Sequence, residues 1–243
     1  MARRAIQLYT LREMDVPFTD LLEMVADAGF EGVEYAYRVP EADPAEVRAT
    51  LAETGLEVPS AHVPIEEMEE DLAATVERYR DLEAERLVVP AVDEEHFESV
   101  DAVEALADRL DGLAADLAEH DFPLLYHSHH FEFTDLEGTS GYERLVEATE
   151  TVDFELDVGL ARYAGADPAA LVEQYGGRID LLHCTDTDLD FEEMAHARFG
   201  TGPVDYEAVF DAAEAAGIEW YIYENGSQDD PEAELEYARE AFL

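Results

Sequence analysis

The feature that most constrains the fold is a regular alternation of short apolar runs with longer amphipathic stretches. AIQLYT, GVEYA, EVPSAH, RLVVPA, PLLYHS, DFELDV, DLLHCT and WYIYEN read as eight strands. Between them lie helical patterns such as FTDLLEMVADAG, PAEVRATLAETG, VEALADRLDGLAADLAEH and DYEAVFDAAEAAG. Eight strands in 243 residues leave about thirty residues per strand–helix unit, the size of a βαβ element. GFEGVEY, GLEVPSAH and GIEWYIYE repeat one junction after a helical run, and their leading glycines, Gly29, Gly55 and Gly217, suit the left-handed position that ends a helix. Such units close as a barrel or open as a doubly wound sheet. Eight of them, with no GxGxxG after the first strand, favour a single (β/α)8 TIM-barrel domain over residues 1–243.

Composition narrows the chemistry. All 14 basic residues are arginine, so Schiff-base enzymes and P-loop NTPases, which need a lysine, are excluded. The 61 acidic residues bring the formal net charge to −47 and spread through every helix. That pattern reads as a solvated surface suited to a high-salt cytosol, where screening removes self-repulsion, and not as one docking patch. The missing basic patch argues against nucleic acid as a partner. No run is long and apolar enough to span a bilayer, and nothing resembles a signal peptide, so the expected location is cytoplasmic with no membrane partner. The lone Cys184 excludes an internal disulfide and reads as a small core residue. A homo-oligomer remains compatible with all of this.

In a barrel of this kind the chemistry gathers at the C-terminal ends of the strands. Those ends carry Gln7, Tyr9 and Arg12 (first strand), Glu34 (second), His62 (third), and His127, His129 and Glu132 (fifth). They continue with Asp157 (sixth), His183 and Asp186 (seventh) and Glu224 (eighth). Within LYHSHHFEF, strand alternation turns His127 and His129 to the mouth and His130 outward. Glu132, Asp157, His183 and Glu224 together form a plausible shell for a divalent cation such as Mn2+, Mg2+, Co2+ or Zn2+, with His129 a rival for the fifth-strand position. Polar strand ends that merely meet water are the plainer reading of any single member. Arg12 and Arg162 are candidate contacts for an anionic substituent, or surface ion-pair partners. Gly200 and Gly202 in FGTGPVD read as a turn into a helix, and His96, His120 and His196 as surface residues.

IQLYTLRE, YHSHHFEF, ELDVGLARYAGADP, LLHCTDTD, FGTGPVDYEAVFDAAEAAGIEW and YIYENGSQDDP occur in an order that resembles the xylose-isomerase-like TIM barrels over essentially the whole chain. The family comprises sugar isomerases, epimerases and related dehydratases. The resemblance implies metal ligands at Glu132, Asp157, His183 and Glu224. It also implies a small sugar or keto-polyol substrate, held with the help of Tyr9, Arg12, Glu34, His62, His127, His129, Arg162 and Asp186. Glu132 and Glu224 would then move a proton α to a carbonyl through an enediolate, making an isomerase or epimerase. The same chemistry followed by β-elimination would make an inosose-dehydratase-like lyase. A barrel that binds sugar without turnover and a relative of abasic-site endonucleases are further alternatives, the latter disfavoured by the lack of a basic groove. Two departures stand out: Thr185 occupies a position that is often lysine, and Ser128 one that is often asparagine.

Overall fold

The computed structural model describes residues 2–36, 38, 39, 42–189 and 195–243. Eight parallel strands form the expected sheet: β1 (Arg3–Gln7), β2 (Gly32–Glu34), β3 (Ala61–His62), β4 (Leu87–Val89), β5 (Leu124–His127), β6 (Asp153–Asp157), β7 (Ile179–Cys184) and β8 (Trp220–Tyr223). Their order is β2-β1-β8-β7-β6-β5-β4-β3. Parallel bridges Gly32–Glu57 and Tyr35–Ala61 join the two outer edges, so the sheet closes on itself.

Helices α1 (Phe18–Ala28), α2 (Pro44–Thr54), α3 (Ile65–Glu70), α4 (Leu72–Asp81), α5 (Val100–Ala118), α6 (Gly141–Ala148), α7 (Val158–Tyr163), α8 (Pro168–Tyr175), α9 (Tyr206–Ala216) and α10 (Pro231–Ala241) surround it. Many of the acids that dominate the composition start these helices. Asp43, Asp167, Asp205 and Asp230 each accept backbone N–H groups of the first turn, where unsatisfied donors and the helix dipole favour a carboxylate. Gly29, Gly55 and Gly217 end α1, α2 and α9 at φ of 101°, 76° and 81°, as the repeated junction requires.

Side-chain alternation divides the barrel interior into levels. At the N-terminal end the Trp220 ring fills the floor, and Ala5, Val88, Leu125, Leu181 and Ile222 pack with it into a small buried apolar cluster. Above this level the inward positions become polar: Gln7, Glu34, Ser60, His127, Glu155, Asp157 and His183 are all buried. The outward positions, including Tyr126, Phe154, Leu156 and Leu182, join the main core between sheet and helices, as does Cys184. No helix among the described residues is long and apolar enough to cross a membrane.

The floor depends on one close approach. A Cβ at Gly32 would stand 2.7 Å from the Trp220 ring and 3.1 Å from the Glu57 carbonyl oxygen. Gly32→Ala is therefore expected to destabilise the barrel by about 1–3 kcal/mol, as overpacking does. Denaturant unfolding tests this, and an unchanged midpoint would show that the indole can move aside.

Candidate metal centre and substrate cavity

Four donors from three strands and one strand end converge above the apolar floor. His127 ends β5, Asp157 ends β6, His183 lies in β7, and Glu224 follows β8. One ligand atom from each lies within 4.8 Å of those of the other three. Asp157 shows why the set suits a cation. Its Oδ1 accepts the Leu160 N–H at 2.8 Å and the Thr185 hydroxyl, so it caps α7 and fixes the carboxylate. Its Oδ2 is buried with no hydrogen-bond partner. A buried, unpaired carboxylate oxygen beside two imidazoles and a second carboxylate is a donor set that fits a divalent ion.

Below and beside this set lies a second layer. Glu155 Oε2 stands 2.7 Å from His62 Nε2, 2.9 Å from His127 Nδ1 and 3.2 Å from His183 Nε2. Glu34 accepts from Gln7 Nε2 at 2.9 Å and Ser60 Oγ at 2.6 Å, and its Oε2 is 2.7 Å from His183 Nε2. His62, His127, Glu155 and His183 also bring one atom each within 4.8 Å of one another. Burial opposes charge on His62, Glu155 and His183, yet opposite charges prevail. Glu155 and Glu34 raise the His183 pKa well above its usual value, and the same carboxylates raise that of His62. Burial likewise disfavours charge on Glu155 and Glu224, but their imidazole neighbours hold both below the carboxylate range. Burial pushes Asp157 up.

A cavity of about 370 Å³ opens over the donors, lined by Gln7, Tyr9, His62, His127, His129 and Glu224 among others. His129, whose side chain is 28% exposed, lies at its wall with Nδ1 unpaired, and burial followed by the repulsion of His127 presses its pKa down to about 3. It faces the cavity as a neutral imidazole.

Several expected site residues are placed differently. Glu132 does not join the converging donors. After His127 the chain leaves the strand, and a turn over Phe131–Phe133 carries Glu132 back to the outward-facing Tyr126, whose hydroxyl donates at 2.6 Å. Its other oxygen accepts the His129 N–H at 2.6 Å, and burial raises its pKa well above the usual range. Strand alternation ceases to apply where the strand ends, and the fifth-strand member of the set is His127, neither Glu132 nor His129. Asp186 is spent on its own loop, accepting from Thr187 and Gly202 N–H at 3.0 and 2.8 Å. Arg12 braces the turn after β1 against the loop after β8, donating to the Tyr9 and Gly226 carbonyls at 2.8 Å each. Arg162 lines a separate groove with Asp167 and Asp205. Glu34 is fully buried beneath the cavity.

Two residues escaped the sequence reading. Glu155 was legible, because it precedes Asp157 by two positions in DFELDV and must share its face. His196 reads as a surface residue, yet it sits in a two-residue ribbon pairing Asp186–Thr187 with His196–Ala197, accepts the Gly226 N–H at 2.8 Å, and acts electrostatically on Asp157 and Glu224. No sequence period marks it.

This barrel, with its carboxylates and imidazoles at the strand ends, places the chain in a known class. Residues 22–242 match the xylose isomerase-like TIM barrel family, and the chain belongs to it. It is 26% identical over 255 residues to an inosose dehydratase of Geobacillus thermodenitrificans, covering 89% of this chain and 84% of that protein. The fold is shared with a sugar phosphate isomerase/epimerase from Parabacteroides distasonis, with a TM-score of 0.84 and 20% identity over 99% of this chain and 93% of that one. It is also shared with the IOLI protein carrying a bound zinc atom, with a TM-score of 0.76 and 14% identity over 98% of this chain and 94% of that one.

The geometry separates candidate ligands from supports. Asp157→Ala and His183→Ala are expected to lose bound metal. Glu132→Gln should keep it at full stoichiometry while losing about 1–3 kcal/mol of stability through its disturbed buried hydrogen bonds. Elemental analysis of each variant beside its unfolding curve checks both statements, and a metal-free Glu132→Gln protein would restore Glu132 as a ligand.

Proposed function

We propose that this chain is a divalent-metal-dependent carbohydrate isomerase or epimerase that removes a proton α to the carbonyl of a sugar or keto-polyol. The observation that carries this reading is the donor set of His127, Asp157, His183 and Glu224, two of which, His127 and Glu224, line a small cavity together with His62 and His129. When bound there, a divalent ion supplies Lewis-acid polarisation of a carbonyl. The remaining work belongs to the chain's own residues. His129 and Glu224 reach the cavity from β5 and from the end of β8, which are separated in the barrel by β6 and β7. Glu224 is an ionised carboxylate able to accept a proton, while His129, held neutral with its backbone fixed by Glu132, offers a hydrogen bond to substrate. Gln7, Tyr9 and His62 offer hydrogen bonds to hydroxyl groups.

The described lining contains no arginine, and Arg12 is engaged with two backbone carbonyls. This favours an uncharged polyol over a phosphorylated sugar. A second reading has the same proton abstraction followed by loss of a β-hydroxyl. It is supported by the inosose dehydratase relative, which matches nearly the full chain.

Incubation with an inosose or a ketohexose in D2O, with Mn2+ or Co2+ and high salt, is expected to place deuterium on the carbon next to the carbonyl. His129→Gln should slow this while leaving bound metal in place, as loss of a group that orients the substrate does. A product lighter by one water selects the lyase. If no such substrate exchanges or loses water, the proposal fails.

A second expectation concerns acidity. Metal must displace a proton from His183, whose pKa, despite burial, Glu155 and Glu34 hold well above the usual imidazole value. Binding should therefore weaken as pH falls through that raised value, above the ordinary imidazole range. Metal titrations across that range test this, and an affinity independent of pH would exclude His183 as a ligand.

A further inference from the structure

Two carboxylates beneath the donor set take no part in the chemistry above. Glu34 on β2 and Glu155 on β6 are both 0% exposed, and neither lines the cavity. Each faces one nitrogen of a donor imidazole: Glu155 Oε2 lies 2.9 Å from His127 Nδ1, and Glu34 Oε2 lies 2.7 Å from His183 Nε2. An ionised carboxylate only accepts, so the nitrogen facing it carries the hydrogen. The opposite nitrogens are the ones left to a cation: His127 Nε2 directly, and His183 Nδ1 where an ion displaces the proton it shares with Glu224. The second of these stands 3.1 Å from Glu224, inside the converging set.

The two carboxylates are themselves held. Gln7 and Ser60 donate to Glu34, and His62 Nε2 lies 2.7 Å from Glu155. The His62 ring stacks on His183 at 5.4 Å with 10° between planes, which limits rotation of the latter.

We propose that Glu155 and Glu34 are positioning residues which fix the tautomer and orientation of His127 and His183, so that the cation is offered His127 Nε2 and His183 Nδ1. This rests on the metal-centre reading under Proposed function. A carboxylate hydrogen-bonded to the far nitrogen of a ligand imidazole orients the ring and raises its basicity. The competing arrangement is the lower group of His62, His127, Glu155 and His183, in which Glu155 would itself be a ligand. An ion in the lower group, beside Glu155, would instead meet the nitrogens that face it, His127 Nδ1 and His183 Nε2.

The test is a long-range 1H–15N correlation spectrum of the full chain with 15N-labelled histidine, loaded with Zn2+ in high salt. Zinc bound at His127 Nε2 and His183 Nδ1 is expected, with a proton on each far nitrogen. Glu155→Gln and Glu34→Gln, folded by circular dichroism, should bind Zn2+ about 10- to 100-fold more weakly in chelator competition. Coordination through His127 Nδ1 and His183 Nε2 would overturn the proposal and place the ion in the lower group. Unchanged affinity in both variants would overturn it as well. The wild-type spectrum decides the matter even if a variant does not fold. Absence of zinc from the wild type would sink this inference and the metal-centre reading together. The expected coordination without α-deuteration would sink the proposed reaction alone.

Discussion

Four carboxylates, Glu34, Glu155, Asp157 and Glu224, share the polar end of a barrel whose lower interior is apolar. Carboxylates removed from water at such density are tolerated only when positive charge and hydrogen bonds meet them. His62, His127 and His183 are interleaved among them for that reason. His183 is the pivot: one nitrogen faces Glu34 and Glu155, and the other faces Glu224. A protonated His183 supplies charge at the place where a divalent ion would otherwise supply it. The same cluster of carboxylates and imidazoles is thus able to hold a cation.

The same charge logic explains part of the exterior. A formal charge of −47 looks like undirected acidity, but several aspartates close the starts of helices and leave backbone donors satisfied. Glu234 is another acid with an internal task. It is 1% exposed and accepts from Tyr223 and Asn225, tying α10 to the strand end that carries Glu224. Acidic residues in this chain thus divide into a solvated majority and a small buried group that shapes the site.

How much of this can be read in advance depends on how far each residue's setting is local. The barrel was legible because the strand–helix unit repeats, and because a strand's alternation fixes which side chains face inward. Asp157 and His183 lie within such strands and Glu224 just past one, so their meeting could be anticipated. Glu132 could not be placed, since the path after Ser128 is set by a turn that docks on Tyr126. The position of Glu34 was legible, but its partner His183 lies 149 residues further on, and nothing in a single strand announces that pairing. The backbone partners of Asp186 and Arg12 could not be anticipated, because backbone groups leave no trace in side-chain patterning.

The floor of the barrel has a consequence for traffic. Among the described residues, Trp220 and the apolar layer around it fill the N-terminal end of the barrel interior, so the cavity opens at the strand ends. Whatever enters past Tyr9 and His129 must leave by the same route. Substrate and product then compete for one opening, and each turnover must empty the chamber before the next can begin.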